Sequence, residues 1–112
     1  MNNMPAKSEE VVHLSLLLGR LLMISGTDTS QVKVGVERFA AGLGFETHLL
    51  VSYEALLLTV ISDGEFRTKV GSQVAGMTVD MMAVQVLNQI IDDAAEGRLN
   101  IAEARARILA VA

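Results

Sequence analysis

Glu54-Ala55-Leu56-Leu57-Leu58-Thr59-Val60-Ile61-Ser62-Asp63-Gly64-Glu65-Phe66-Arg67-Thr68-Lys69-Val70 is the stretch that decides the fold. Its first part, Glu54 to Ser62, is nearly continuous in Leu, Val and Ile, the pattern of a central buried strand. Asp63-Gly64 is a strong two-residue hairpin signal, because both residue types tolerate the positive φ that a tight β-turn demands. After it Glu65 to Val70 alternates polar with apolar, so one face is wet and the strand is expected at an edge. Immediately upstream, Phe45 to Val51 is strand-like too. Three successive strands with a tight hairpin predict a small sheet with antiparallel pairing.

On both sides of this block the apolar period changes from strand to helix. Upstream, Ser8 opens a helix with Glu9 and Glu10 in its first turn, where the helix dipole favours acids. Val11, Leu14, Leu18, Leu21 and Leu22 recur at helical spacing, and Leu16 and Leu17 widen the apolar face until the helix is greasy nearly all round, as one buried by several neighbours is. Gly26 ends it. Thr27, Asp28 and Thr29 offer oxygens to cap a second helix, in which Val32, Val36, Phe39, Ala40 and Leu43 form one stripe before Gly44 stops it. Lys33, Glu37 and Arg38 lie off that stripe and are expected in solvent.

Downstream, Gly71 to Met77 reads as a loop and Thr78 as the cap of a third helix, with Asp80 two residues on. Met82, Val86, Leu87, Ile90, Ile91 and Ala94 are expected to face inward, and Gln85, Gln89, Asp92, Asp93 and Glu96 outward, with Gly97 closing the helix. Asn100 and Glu103 have the spacing of a capping box for a last helix carrying Ile101, Ala104, Ile108 and Val111 inward. The order helix-helix-strand-strand-strand-helix-helix, with strands grouped between helices, predicts an α+β fold. Residues 1–7 are expected to form a flexible leader and residues 8–112 a single domain.

Composition narrows the function classes. Of 112 residues, 51% are hydrophobic and 20% charged, which excludes intrinsic disorder. Net charge is −4 and aromatic content 4%, whereas nucleic-acid binding needs clustered Lys/Arg and stacking surfaces, so no nucleic-acid partner is expected. An electrostatic membrane anchor fails for the same reason. Cysteine is absent, which removes disulfides and thiolate chemistry and favours an intracellular setting. The greasiest run, Leu14 to Ile24, is about half the roughly 20 apolar residues a membrane span requires and carries Gly19 and Arg20. Leu49 to Ile61 is broken by Ser52 and Glu54, and no signal peptide is recognisable before Glu9, so the chain is expected to be soluble.

Few side chains have catalytic spacing. His13 and His48 lie on different elements, and the adjacent Asp92 and Asp93 point about a hundred degrees apart on a helix. Neither has zinc or calcium spacing, so no metal and no other cofactor is expected. Val70-Gly71-Ser72-Gln73-Val74 lacks the second glycine of a nucleophile elbow, and Gly42-Leu43-Gly44 leaves a helix for a strand, the wrong order for a phosphate loop. Ser25-Gly26-Thr27-Asp28-Thr29-Ser30 is the richest constellation. Four hydroxyls and one carboxylate flank a helix N-terminus whose free N–H groups attract anions, and Asp28 would suit an ammonium, so a small amino acid has partners there. Plain capping of two helices explains the same residues. Met77, Met81 and Met82 suit adaptable packing, in a core or at a partner surface, and with the greasy first helix they raise the expectation of self-association.

Leu17-Leu18-Gly19-Arg20-Leu21-Leu22 leading into Ser25-Gly26-Thr27-Asp28-Thr29, then Val32, then Leu43-Gly44-Phe45, resembles the opening of the N-terminal domain of the threonine/serine exporter family. The resemblance continues through the apolar strand, through Asn88 at the place of a characteristic asparagine, and through Glu96-Gly97-Arg98-Leu99 and Ala102-Glu103-Ala104-Arg105. It covers residues 8–111. Where the family's turn is followed by an aromatic, an Arg, a Val and a Glu, this chain has Ser30, Gln31, Val32 and Lys33. The resemblance implies a cytoplasmic domain at the inner face of the membrane, accessory to export of an amino acid or small carboxylate, and partnered by the transmembrane domain of the same or another exporter chain; with catalytic constellations missing, the domain is expected to be non-catalytic. The candidate binding residues are Thr27, Asp28, Thr29 and Ser30 from the chemistry of the junction, Glu54 from the strand, and Asn88 from the resemblance. Two alternatives stand beside it: a small hydrolase using Asp28 and Thr29 near Glu54, and a free-standing domain that forms homo-oligomers through its apolar helices.

Overall fold

A computed structural model describes residues 6–52, 55–62, 65–71 and 79–112. The order of elements is α1 (Ala6–Ile24), α2 (Thr29–Gly42), β1 (Glu46–Val51), β2 (Leu56–Ser62), β3 (Glu65–Val70), α3 (Met81–Ala95) and α4 (Ile101–Val111), which is the α+β succession expected from the sequence. The strands form one antiparallel sheet in the order β1-β2-β3. Leu58 stands opposite Leu49 on one side and Lys69 on the other, so the apolar run is the central strand and Glu65–Val70 an edge. Asp63-Gly64 and Thr78 lie outside the described residues.

Three layers follow from the packing. β1 and β2 rest on α2 and α1, and α3 and α4 pack on the far side of those two helices. Leu49, Leu56, Leu58 and Val60 send their side chains from the sheet into the core, where Val12, Leu18, Leu22, Val36 and Phe39 meet them. Leu87, Ile90, Ile91 and Ala94 close the core from α3, and Ala104 and Ile108 from α4. α1 touches α2, α3, α4 and β2, which explains an apolar surface on nearly all sides.

Four expectations change. α1 begins at Ala6 rather than Ser8, and the Ser8 side chain is buried inside it, so Ala6 and Lys7 are helical. β2 begins at Leu56, not Glu54. Asp80 is the residue that caps α3, its side chain accepting from the Ala83 N–H. Met82 and Val86 face outward, 77% and 45% exposed, because α3 is covered only along the line of Leu87, Ile90, Ile91 and Ala94. The capping box of Asn100 and Glu103 forms as read, each side chain taking the other's backbone N–H at 2.7 and 3.0 Å.

Candidate functional site

The α1–α2 junction is built from two capping solutions back to back. At the end of α1, Gly26 adopts φ of 100°, a left-handed conformation that side chains with a Cβ resist. This lets the Gly26 N–H reach the Met23 carbonyl at 3.1 Å and the Thr27 N–H reach the Leu22 carbonyl at 3.0 Å, satisfying carbonyls that the helix end leaves free. Two residues later Asp28 takes an extended backbone, and its Oδ1 accepts the Gln31 N–H at 3.0 Å. The Ser30 hydroxyl donates to the same oxygen at 2.7 Å. The Gln31 N–H, and after it the Ser30 hydroxyl, hold the Asp28 carboxyl below its ordinary pKa. Of the three oxygens offered for capping, Asp28 does the work.

The junction is tied to α3 as well. The Asp80 N–H donates to the Ser25 carbonyl at 3.1 Å, and a Cβ added at Gly26 would touch Val79 at 3.4 Å. The starts of α2 and α3 are therefore held at one end of the molecule. The Thr27 hydroxyl is buried at this point without a hydrogen-bond partner.

Thr29 and Ser30, in the first turn of α2, line a cleft of about 590 Å³ with Lys33, His48, Thr59 and Thr68, over a floor that includes Leu50 and Leu57. The polar groups in this cleft are largely engaged. Thr59 and Thr68 share a hydrogen bond of 2.9 Å between their hydroxyls. The Lys33 ammonium pairs with Glu37 and reaches the Leu49 carbonyl at 3.4 Å. Glu37 in turn accepts the Leu49 N–H at 2.9 Å. One ion pair on α2 thus satisfies both main-chain groups that Leu49 presents at the free edge of β1. Glu37 is consequently not in solvent as its place off the apolar stripe suggested; its side chain is only 26% exposed. The signal for this clamp was the four-residue spacing of Lys33 and Glu37 on one helix face.

The candidate binding residues are thus distributed unevenly. Thr29 and Ser30 reach the cleft, and Asp28 and Thr27 stand beside it in the junction. Asn88 is exposed on α3 and is not among the residues lining the cleft. Glu54 lies outside the described residues. Residue reading missed Lys33, His48, Thr59 and Thr68 as cleft-lining groups; the alternation within β1 and β3 carried that information once the strands were paired in register.

A second polar cluster joins α3 to α4. Asp93 accepts from Arg107 at 2.6 Å, from Arg98 at 2.8 Å and from Gln89 at 3.0 Å. Its side chain is 15% exposed, so this acid is not outward-facing as the helical pattern suggested. Arg107 first and Arg98 second lower its pKa from 3.8 to about 2.

The model of the threonine/serine exporter family matches residues 13–112, from within α1 to the last residue. The chain belongs to the threonine/serine exporter family. Comparison with curated proteins and with solved structures gave no match. The family match takes in the junction, the cleft, the sheet and both C-terminal helices of this exporter-family chain. Among its described residues no helix is long and apolar enough to cross a membrane.

Proposed function

We propose that this chain serves as the cytosolic domain of an exporter of threonine, serine or a related small carboxylate, non-catalytic and accessory to transport by a membrane-embedded partner. The observation that carries the reading is a family match across all seven elements in a chain whose described helices cannot themselves form a membrane path. Transport then belongs to transmembrane helices of the same or a partner chain, and this domain sits at the inner membrane face and docks on them.

The outer surface of α3 and α4 supports a docking role. Asp80, Met82, Ala83 and Val86 from the start of α3 line a groove of about 530 Å³ with Arg107, Ala110 and Val111 of α4. Both charges are internally engaged, Asp80 by the Ala83 N–H and Arg107 by Asp93. What remains is an apolar strip with small residues at Ala83 and Ala110, which would let a partner helix approach closely, and methionine that adapts its shape.

The test is efflux of threonine from cells carrying the complete exporter. Met82→Asp and Val86→Asp should abolish most of the efflux while leaving the thermal transition of the separately produced domain unchanged, since both side chains already face water. Unchanged efflux in the double variant would remove the docking reading. A sensing role is tested by calorimetry of threonine or serine with the domain: heat that disappears in Asp28→Ala supports a ligand at the junction, and no heat with either amino acid removes it.

A further inference from the structure

Among the described residues, no helix or strand covers the face of the β1-β2-β3 sheet turned away from α1 and α2. The registers Glu46↔Ile61 and Ile61↔Phe66, His48↔Thr59 and Thr59↔Thr68, and Leu50↔Leu57 and Leu57↔Val70 place nine side chains there in three rows. A sheet face in water normally carries polar residues at these alternate positions. Here five of the nine are large and apolar, and Leu50, Phe66 and Val70 are 63%, 71% and 67% exposed. The nine include neither Lys nor Arg, their one carboxylate, Glu46, stands at a corner, and Lys33, at the β1 rim of the face, is paired with Glu37. A lipid surface would call for basic residues around such a patch.

We infer that this face is the contact between two copies of the chain, stacked sheet on sheet as a symmetric dimer. Three strands about 4.8 Å apart and about 20 Å long give a footprint near 300 Å² in projection, or roughly 500 Å² of accessible surface per copy. Two copies together then bury roughly 1,000 Å², the threshold for a specific interface. The rows match themselves under a two-fold axis lying between the sheets and parallel to β2. Leu57 then faces Leu57 of the other copy, Leu50 faces its Val70, and the Thr59 rows meet at the centre. Each Glu46 then stands across from Phe66 of the other copy at an edge of the stack, and the two carboxylates fall on opposite flanks, far from one another. Stacked sheets sit about 10 Å apart, a gap that Leu, Ile and Phe side chains fill. Because α3 and α4 form the layer on the far side of α1 and α2, a dimer through the sheet leaves their groove free, whereas it covers the cleft floor beside Thr29 and Ser30.

This inference does not rest on the transport reading, and it is tested on the chain alone. Sedimentation between about 5 μM and about 1 mM, a range that spans weak association, should show the mass rise from 12.0 kDa toward twice that value. Phe66→Asp should hold the mass at the monomer value across the whole range with an unchanged circular dichroism spectrum. Leu50→Asp, on the opposite strand, repeats the test if the first variant fails to fold. Met82→Asp, on the helical layer, should leave the dimer intact. A wild-type chain that stays monomeric at about 1 mM overturns the inference. So does a dimer that survives both sheet variants and is lost in Met82→Asp, which would move the contact to the α3–α4 surface.

Discussion

Replacing Gly42 with alanine tests the tightest of the described glycine positions. Gly42 is the last residue of α2 and lies against the C-terminal end of α3. A Cβ built there would stand 2.0 Å from the Ala94 carbonyl oxygen, 2.4 Å from its carbon and 2.7 Å from the Ala95 Cα. Ordinary non-bonded carbon contacts lie at about 3.5–4.0 Å, so the two helices must separate by more than 1 Å at that end. Main chain cannot rotate away as a side chain can. The expected loss is at the upper end of the overpacking range, about 3 kcal/mol, reduced by up to about 1 kcal/mol because alanine favours helix over glycine. A net loss of about 2–3 kcal/mol corresponds to a fall of roughly 10 °C in Tm for a chain of this size. Gly35→Ala is the internal comparison. Its Cβ would crowd the terminal Cδ1 of Ile91 at 2.9 Å, a methyl that can swing aside, and meet Leu22 Cδ1 at an ordinary 3.7 Å. It should therefore stay within about 1 kcal/mol of wild type, the helix-propensity gain offsetting the crowding. Urea unfolding of the three proteins measures both differences. A Gly42→Ala protein as stable as wild type, or a Gly35→Ala protein less stable than Gly42→Ala, would refute the packing of α2 on α3 described above.

Three further predictions concern other layers. Asp93 titrates below its ordinary value when folded, so its contribution to stability is complete above about pH 4 and vanishes as pH falls through about 2. The stability difference between wild type and Asp93→Asn, followed by urea unfolding, should be constant near neutral pH and shrink over that acid window; a difference unchanged at pH 2 would contradict the arginine contacts. Glu37→Ala removes the acceptor of the Leu49 N–H, so hydrogen exchange at that amide should accelerate more than at Leu58, which lies in the central strand. Phe39, fully buried between the sheet and the helices, should destabilise the protein by about 3–5 kcal/mol when cut to alanine, read by thermal unfolding.

How much of this was legible beforehand depended on the kind of interaction. The element order was readable because Leu56 to Ile61, the Val32–Val36–Phe39–Ala40 stripe and the Asn100–Glu103 box are local patterns, each complete within a few residues of chain. The same holds for the junction, where Gly26 and Asp28 act on backbone groups three or four residues away. Periodicity told which residues are apolar on α3 but not how wide a neighbour covers them, which is why Met82 and Val86 face outward. For the candidate site, Thr29 and Ser30 were found from the helix start, while Lys33, His48, Thr59 and Thr68 joined them only through the pairing of three strands and the lean of α2 on β1.

By itself, then, the sequence determined the helices, the strands, the caps at Gly26, Asp28 and Asn100, and the family, because short-range hydrogen bonds and side-chain period are properties of neighbouring residues. Tertiary structure alone decided that Glu37 guards the edge of β1, that Asp93 gathers two arginines, and that five large apolar side chains share one bare sheet face. Each of these joins residues from different parts of the fold. Their meeting depends on how layers stack, and no single segment records the stacking.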